Sequence, residues 1–396
     1  MMIIRKFLWN EYDDKSFKLG ELEQGLFKQE KNKRASLERW GLRNLHSVEN
    51  LDHIVSEVKK TYLNNNPHVK VSANSVWIDG TPQAEFTVSH YKRVYNNSSS
   101  ISGNATQPNF KFYKNEVLNC ELADLLFIFN EFNSQNSSKR VRAVLLQGKC
   151  SDKDNLLPNG PSTEKERKLL ESVNRNEKLT LYPGTKASGK DIGSYTLGGN
   201  APGLADCAKY LMMPKYETWS YNTPNYVDPY VIGWPVNSSN KSLGTTTNYL
   251  EAIIKEMLKH GTMGRDVQIR NGAIDRSCAW SRMIDDLLTS YDGVTMKGYE
   301  NQKRVYTSSG HAPDYINSLG LMINHQQWLT YLDQLEFECL VTNKDFETLE
   351  WIERQYYFHM RRMDYCIRNN VPFWSGPVIS TIVVNIDYHE GEFLRD

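Results

Sequence analysis

Two apolar segments, each interrupted by charge near one end, constrain this chain more than any other feature. The first reads Glu121-Leu122-Ala123-Asp124-Leu125-Leu126-Phe127-Ile128-Phe129. The second reads Val141-Arg142-Ala143-Val144-Leu145-Leu146-Gln147-Gly148-Lys149. Between them Asn133-Ser134-Gln135-Asn136-Ser137-Ser138 is a turn-forming polar stretch, so the pair reads as a β-hairpin. Both strands are apolar on both faces, which predicts a sheet covered on both sides. Asp124 opens the first strand and Lys149 closes the second, so folding brings those ends together. A carboxylate and an amine in apolar strands are costly unless they pair with each other or serve a site.

Register decides what they can do. With the turn centred near Asn136, Asp124 faces Gly148 and shares its side of the sheet. A shift of one residue, or a bulge, is needed to put Asp124 on one face with Gln147 and Lys149.

Around the hairpin the pattern alternates between helix and strand. A helix is expected around Lys33–Leu45, and a second over Asn50–Leu63, with Leu51, Ile54, Val55, Val58 and Tyr62 on one side. Asn64-Asn65-Asn66-Pro67 stops it. Val69–Ile78 and Glu85–Tyr95 read as strands, and Asn96–Thr106 as a loop. After the hairpin, Ser162-Thr163-Glu164-Lys165-Glu166 reads as a capped helix start running to about Asn176. Pro183–Pro202 is Gly-rich and irregular, and Ala208–Met213 is a short apolar strand. A composition shift over Lys215–Gly244, rich in Pro, Tyr, Trp and Asn, places a soft boundary near Gly244. Beyond it, Thr247–His260, Ala279–Ser290 and Phe346–Asn369 read as helices, and Val378–Ile386 as a strand. The expected domains are an α/β core over residues 1–244 with an N-terminal extension, and a mainly helical region over 245–396 with a terminal strand.

Asp124 followed, one strand later, by Gln147-Gly148-Lys149 resembles the PD-(D/E)XK nuclease superfamily, the restriction-endonuclease-like fold. That family places an acid at the start of one strand and an acid-x-Lys on the next. The run Cys120-Glu121-Leu122-Ala123-Asp124-Leu125-Leu126 also resembles uncharacterised bacterial proteins associated with phage defence. The likeness spans roughly Leu51–Pro214. It implies a mixed central sheet flanked by helices and a metal-dependent endonuclease acting on double-stranded DNA, with Mg2+ (or Mn2+) as cofactor. It makes Asp124 the main metal ligand, with Gln147 giving its side-chain oxygen, residue 148 a main-chain carbonyl, and Lys149 orienting water or stabilising phosphorane charge. Hard cations take such oxygen ligands, and phosphodiester hydrolysis uses their charge. Gln147 stands where the family has an acid, so a second carboxylate is expected close by. Glu121, Glu57 and Glu85 are the candidates, and the sequence does not choose among them. The non-catalytic alternative is a nucleic-acid- or partner-binding subunit of a defence complex that keeps the fold, with Asp124 and Lys149 as a buried ion pair.

Other features narrow the field. Arg354, Arg361 and Arg368 recur every seven residues on one helix face, with Tyr356, Tyr357 and Tyr365 interleaved, a stripe suited to nucleic-acid contact. Glu350 and Asp364 lie four residues before Arg354 and Arg368, so ordinary surface ion pairs explain the stripe equally well. Gly184-Thr185-Lys186-Ala187-Ser188-Gly189-Lys190-Asp191 nearly matches a phosphate loop, but Asp191 replaces the required hydroxyl and no helical pattern follows. GxSxG and HExxH motifs are absent. The 47 basic and 47 acidic residues cancel, so net charge argues neither for nor against a polyanionic partner. The six cysteines form no CxxC pair and read as free thiols in a reducing compartment. Cys150, beside Lys149, is better read as inert than as reactive. No signal peptide or spanning segment is read, so a cytoplasmic location is expected. A homodimer, for two strands of a duplex, and a restraining regulatory protein complete the expected partners.

Overall fold

The computed structural model of the chain describes residues 37–63, 69–78, 80–94, 109–133, 138–183, 191–214, 230–236, 240–270, 273–290, 305–309 and 377–388. It begins with two helices, α1 (Leu37–Asn44) and α2 (Val48–Leu63), followed by strands β1 (Lys70–Trp77), β2 (Gln83–Val94) and β3 (Asn109–Glu121). The hairpin is β4 (Leu125–Asn133) and β5 (Ser138–Ser151), followed by helix α3 (Pro161–Ser172). Then come β6 (Leu179–Tyr182), β7 (Gly193–Tyr195), β8 (Ala208–Pro214), β9 (Val231–Gly233) and β10 (Thr247–Asn248). Helix α4 (Tyr249–Ala252) runs on as a π-helix over Ile253–Lys259. β11 (Arg265–Val267), β12 (Ile269–Arg270), β13 (Ala273–Ile274), α5 (Ala279–Thr289), β14 (Val305–Ser308) and β15 (Thr381–Tyr388) complete the elements.

The chain is α/β with a mixed central sheet. Its strand order is β10-β9-β8-β5-β4-β15-β1-β14, and β11 also pairs with β5. β4 and β5 are antiparallel, whereas β5–β8 and β4–β15 are parallel. The parallel step from β5 to β8 needs a long crossover, and α3 lies within it. A second sheet, ordered β3-β2-β6-β7, packs across one face of the first.

Two apolar clusters explain the unbroken hydrophobic runs of the hairpin. Leu126, Ile128, Ala143 and Leu145 face the second sheet, α3 and α5, meeting Phe86, Leu169, Leu170 and Trp280. Leu125, Phe127, Phe129, Val144 and Leu146 face α1, α2 and α4, meeting Leu42, Leu51, Ile54, Val58 and Tyr249. Each such side chain contributes about 1.5–3 kcal/mol by leaving water. α2 presents its apolar face at the expected spacing, and the Leu51, Ile54, Val55 and Val58 side chains are all buried. Gly148 lets α1 lie close to β5, and Gly41 lets it lie close to β8. A Cβ on Gly148 would stand 2.9 Å from Leu42 Cδ2, and one on Gly41 2.6 Å from Met213 Sδ.

Several expectations need correction. Glu121 is not in the first hairpin strand but ends β3, a strand the sequence reading missed. α3 starts at Pro161 after Gly160 with no side-chain cap, and ends at Ser172 rather than near Asn176. Ser162 instead donates to Glu166 Oε1 at 2.6 Å, within the first turns of the helix. The stretch read as irregular contains β7. The main sheet also runs across the soft boundary near Gly244, because β10, β11 and β15 all belong to it. The helix expected over Phe346–Asn369 lies outside the described residues.

Candidate active site

The site forms where the chain passes from the second sheet into the first. β3 ends at Glu121, the buried Leu122 and Ala123 turn the chain, and β4 starts at Leu125. Asp124 occupies that junction, and its N–H donates to Leu146 O at 3.1 Å. The ladder pairs Leu125 with Leu146 and Asn133 with Ser138. Continued by one residue, it sets Asp124 opposite Gln147 rather than Gly148. Opposed residues of antiparallel strands share a face, as do residues two apart on one strand. Asp124, Gln147 and Lys149 therefore lie together on the face that α3 covers.

Their contacts are short. Gln147 Nε2 donates to Asp124 Oδ2 at 2.5 Å, and Gly148 N donates to the same oxygen at 2.8 Å. Gln147 is 1 % exposed, yet its Oε1 has no partner among the described residues. A buried acceptor without a donor is a cost that a fold normally avoids. Lys149 is not paired directly with Asp124. Its Nζ lies 2.9 Å from Glu166 Oε2, on α3, and 3.5 Å from Glu38 Oε1, on α1. Glu38 also accepts from Cys150 N at 3.2 Å, which ties the first helix to the end of β5.

Charge in this cluster is unbalanced. Burial pushes the Asp124 carboxyl well above the usual carboxylate range, Lys149 opposes that shift, and Glu38, Glu121 and Glu166 reinforce it. Glu121 is raised too, by burial and by the charge of Glu166, again opposed by Lys149. For Lys149, burial disfavours the charged amine, but Glu38, Asp124 and Glu166 more than offset it and hold the amine above its ordinary range. Four carboxylates thus share one lysine.

Of the candidate second acids, the structure brings Glu121 alongside Asp124. Glu57 sits on α2 and pairs with Lys60 at 2.6 Å, on the helix that covers the opposite face. Glu85 lies in β2 across from Asn119. Neither is among the charges that shift Asp124 most. Glu38 and Glu166 were missed by sequence reasoning. Glu166 was visible only as part of a presumed cap, and Glu38 as one acid in a polar segment. Arg354, Arg361, Arg368 and most of the phosphate-loop-like stretch, residues 184–190, lie outside the described residues. Cys150 is half-buried, and Cys120 is pushed up to about 12, chiefly by burial, which leaves it an inert thiol.

The donor set fits a hard cation in chemistry. Among the described residues no three His, Cys, Asp or Glu side chains converge as metal ligands. A set made of Asp124, Glu121, the Gln147 amide oxygen and a main-chain carbonyl contains only two groups of that kind. The unsatisfied Oε1 and the surplus of carboxylates are what a divalent cation would relieve. No described helix is long and apolar enough to cross a membrane. No family model, curated protein or solved structure matches the chain, so its chemistry has to be read from these residues.

Proposed function

We propose that the chain is a metal-dependent endonuclease that hydrolyses DNA phosphodiester bonds, with Asp124, Gln147 and Lys149 at its centre on a restriction-endonuclease-like core. The observation that carries this reading is the Gln147 oxygen, buried and without a partner among the described residues, beside the Asp124 carboxylate to which the same amide donates. Support comes also from the one-residue shift in register, which puts all three side chains on one face. The order of hairpin, α3 and β8 agrees with the hairpin, helix and strand around which the sequence resemblance is drawn. A setting in bacterial anti-phage defence rests on the resemblance of the Cys120–Leu126 run alone.

In this reading Asp124 and the Gln147 amide oxygen would hold Mg2+ or Mn2+, with the Gly148 carbonyl and Glu121 completing the set, and the chemistry gained there would be Lewis acidity toward the scissile phosphate. The Gln147 amide must rotate so that Oε1, not Nε2, faces the site. Lys149 presents its amine to the developing negative charge, which requires it to loosen from Glu166 or Glu38. Glu166 keeps that amine protonated and aimed.

The test is plasmid cleavage by the full chain with Mg2+ or Mn2+, compared with Asp124→Asn. Wild type should nick or linearise DNA, and Asp124→Asn should fall to about one hundredth of that rate or less, on the order of losing one transition-state contact. Equal rates in the two proteins would overturn the proposal. One observation favours the non-catalytic binding subunit: Lys149 and Glu166 form a closed, buried ion pair. Absence of cutting together with absence of Mn2+ binding by calorimetry would establish that second reading.

A further inference from the structure

The β2–β3 hairpin is longer than the sheet it belongs to. β6 covers β2 over Gln83–Glu85 alone, and Val173 bridges Val88. Beyond Ser89 and Asn115, which hydrogen-bond at 2.8 Å, the two strands continue together as far as Val94 and Asn109. No other described strand pairs with that extension. A two-stranded ribbon of this kind is marginal in water unless something packs on it.

Its side chains are unusual for a solvated ribbon. Tyr91 is 61 % exposed, Phe112 58 % and Tyr113 53 %. Tyr91 and Phe112 stack edge to face with centroids 6.1 Å apart, and Lys92 Nζ lies 3.7 Å over the Tyr113 ring. The bulge at His90/Tyr91 shifts the register and leaves Tyr113 as the residue of β3 without a partner in the ladder. Lys92, Lys111 and Lys114 are exposed among these rings. The nearby acid, Glu116, is already engaged by His90 at 2.9 Å and Lys168 at 3.1 Å. In a chain with no net charge, this tip is locally cationic and aromatic.

We propose that the β2–β3 ribbon is a binding arm for single-stranded nucleic acid, with lysines along the phosphates and Phe112 and Tyr113 under unpaired bases. The inference rests on the nuclease reading for its biological sense, but not for its test. Exposed rings interleaved with lysines match a polyanion that also carries flat apolar faces. β3 itself runs from this arm to Glu121 at the candidate site. From Tyr113 to Glu121 the strand covers about 26 Å at 3.3 Å per residue. That is about eight nucleotides at a stacked rise of 3.4 Å.

The experiment is fluorescence anisotropy with the full chain in EDTA, where no metal-dependent cutting can occur. The probes are a fluorescein-labelled thymidine 20-mer and a 20-base-pair duplex, titrated at several salt concentrations. Phe112→Ala with Tyr113→Ala should weaken the 20-mer about tenfold or more and leave the salt slope unchanged. Lys111→Gln with Lys114→Gln should flatten that slope by about 1.4, at roughly 0.7 per phosphate contact. Tyr113→Phe should bind as wild type. Circular dichroism melts check that these exposed substitutions leave the fold intact. The proposal is overturned if wild type does not bind the 20-mer, or if the aromatic double variant binds it as tightly as wild type. It is also overturned if the ribbon variants act by dissociating a dimer, seen by sedimentation, because edge strand β3 could pair with a second copy. Ribbon-dependent binding without cutting would sink the nuclease reading alone. Asp124-dependent cutting with ribbon-independent binding would sink only this one.

Discussion

At the scale of single residues, Asp124 is shaped first by burial. The folded chain binds its proton more tightly than the unfolded chain does. The stability this contributes is fully present below the ordinary carboxylate pKa and is lost as pH rises through the folded-state value. Asp124→Asn removes that loss. The variant should melt above wild type at pH 7–8, and the gap should shrink toward pH 4, followed by thermal denaturation across that range. Mg2+ or Mn2+ should raise the wild-type melting temperature at pH 7–8 and leave Asp124→Asn unmoved. Lys149 behaves in the opposite way. Removing it strands Glu166, whose side chain is 2 % exposed. Lys149→Met should cost about 3–5 kcal/mol in urea denaturation, and adding Glu166→Gln should recover part of it. Lost activity in Lys149→Met alone would therefore report unfolding as much as chemistry, which makes Asp124→Asn the cleaner probe.

At the scale of elements, the site depends on how closely α1 approaches β5. Gly148 makes room for Leu42 and Met213, and the same approach brings Glu38 to Lys149 and Cys150 N. Gly148→Ala should cost about 1–3 kcal/mol by overpacking, read as a lower urea midpoint, and Leu42→Ala in the same chain should relieve part of it. The sequence made the hairpin, the two N-terminal helices and β8 legible, the strands as apolar runs and the second helix by the period of its apolar face. It did not fix the register. A turn centred on Asn136 and one centred midway between Gln135 and Asn136 look alike in composition, yet only the second puts Asp124 opposite Gln147. It also hid β3, where Lys111–Asn115 are all exposed and lack the alternation that marks a half-buried strand. Glu38 and Glu166 left no local signal. What distinguishes them is burial against β5 from opposite sides, a property of the packed sheet rather than of their neighbours in sequence.

At the scale of the whole molecule, the strand most distant in sequence sits near the middle of the main sheet. β15 lies between β1 and β4, antiparallel to the first and parallel to the second. Just before it, Ser380 O accepts from Leu126 N at 2.8 Å, two residues past Asp124, and Ser380 Oγ exchanges hydrogen bonds with the Ile78 main chain. Removing residues 377–396 would expose the β4 edge and empty a slot lined by Ile128, Phe129 and Val76. Such a truncated chain should aggregate or lose its cooperative unfolding transition, read by solubility and a circular dichroism melt. The strand itself was foreseen from its β-branched alternation. Its insertion between β1 and β4 was not, because strand order is decided by which edges remain open after the rest has packed.

That placement has a bearing on the growing polypeptide. A ribosome would emit the acid, the amide and the lysine more than two hundred residues before the segment that seats their strand. Until residues 377–388 emerge, β4 has an open flank and the junction carrying Asp124 lacks its anchor. A chain halted before residue 377 would therefore carry the proposed cutting centre in an unassembled state, and arming would wait on the emergence of residues 377–388.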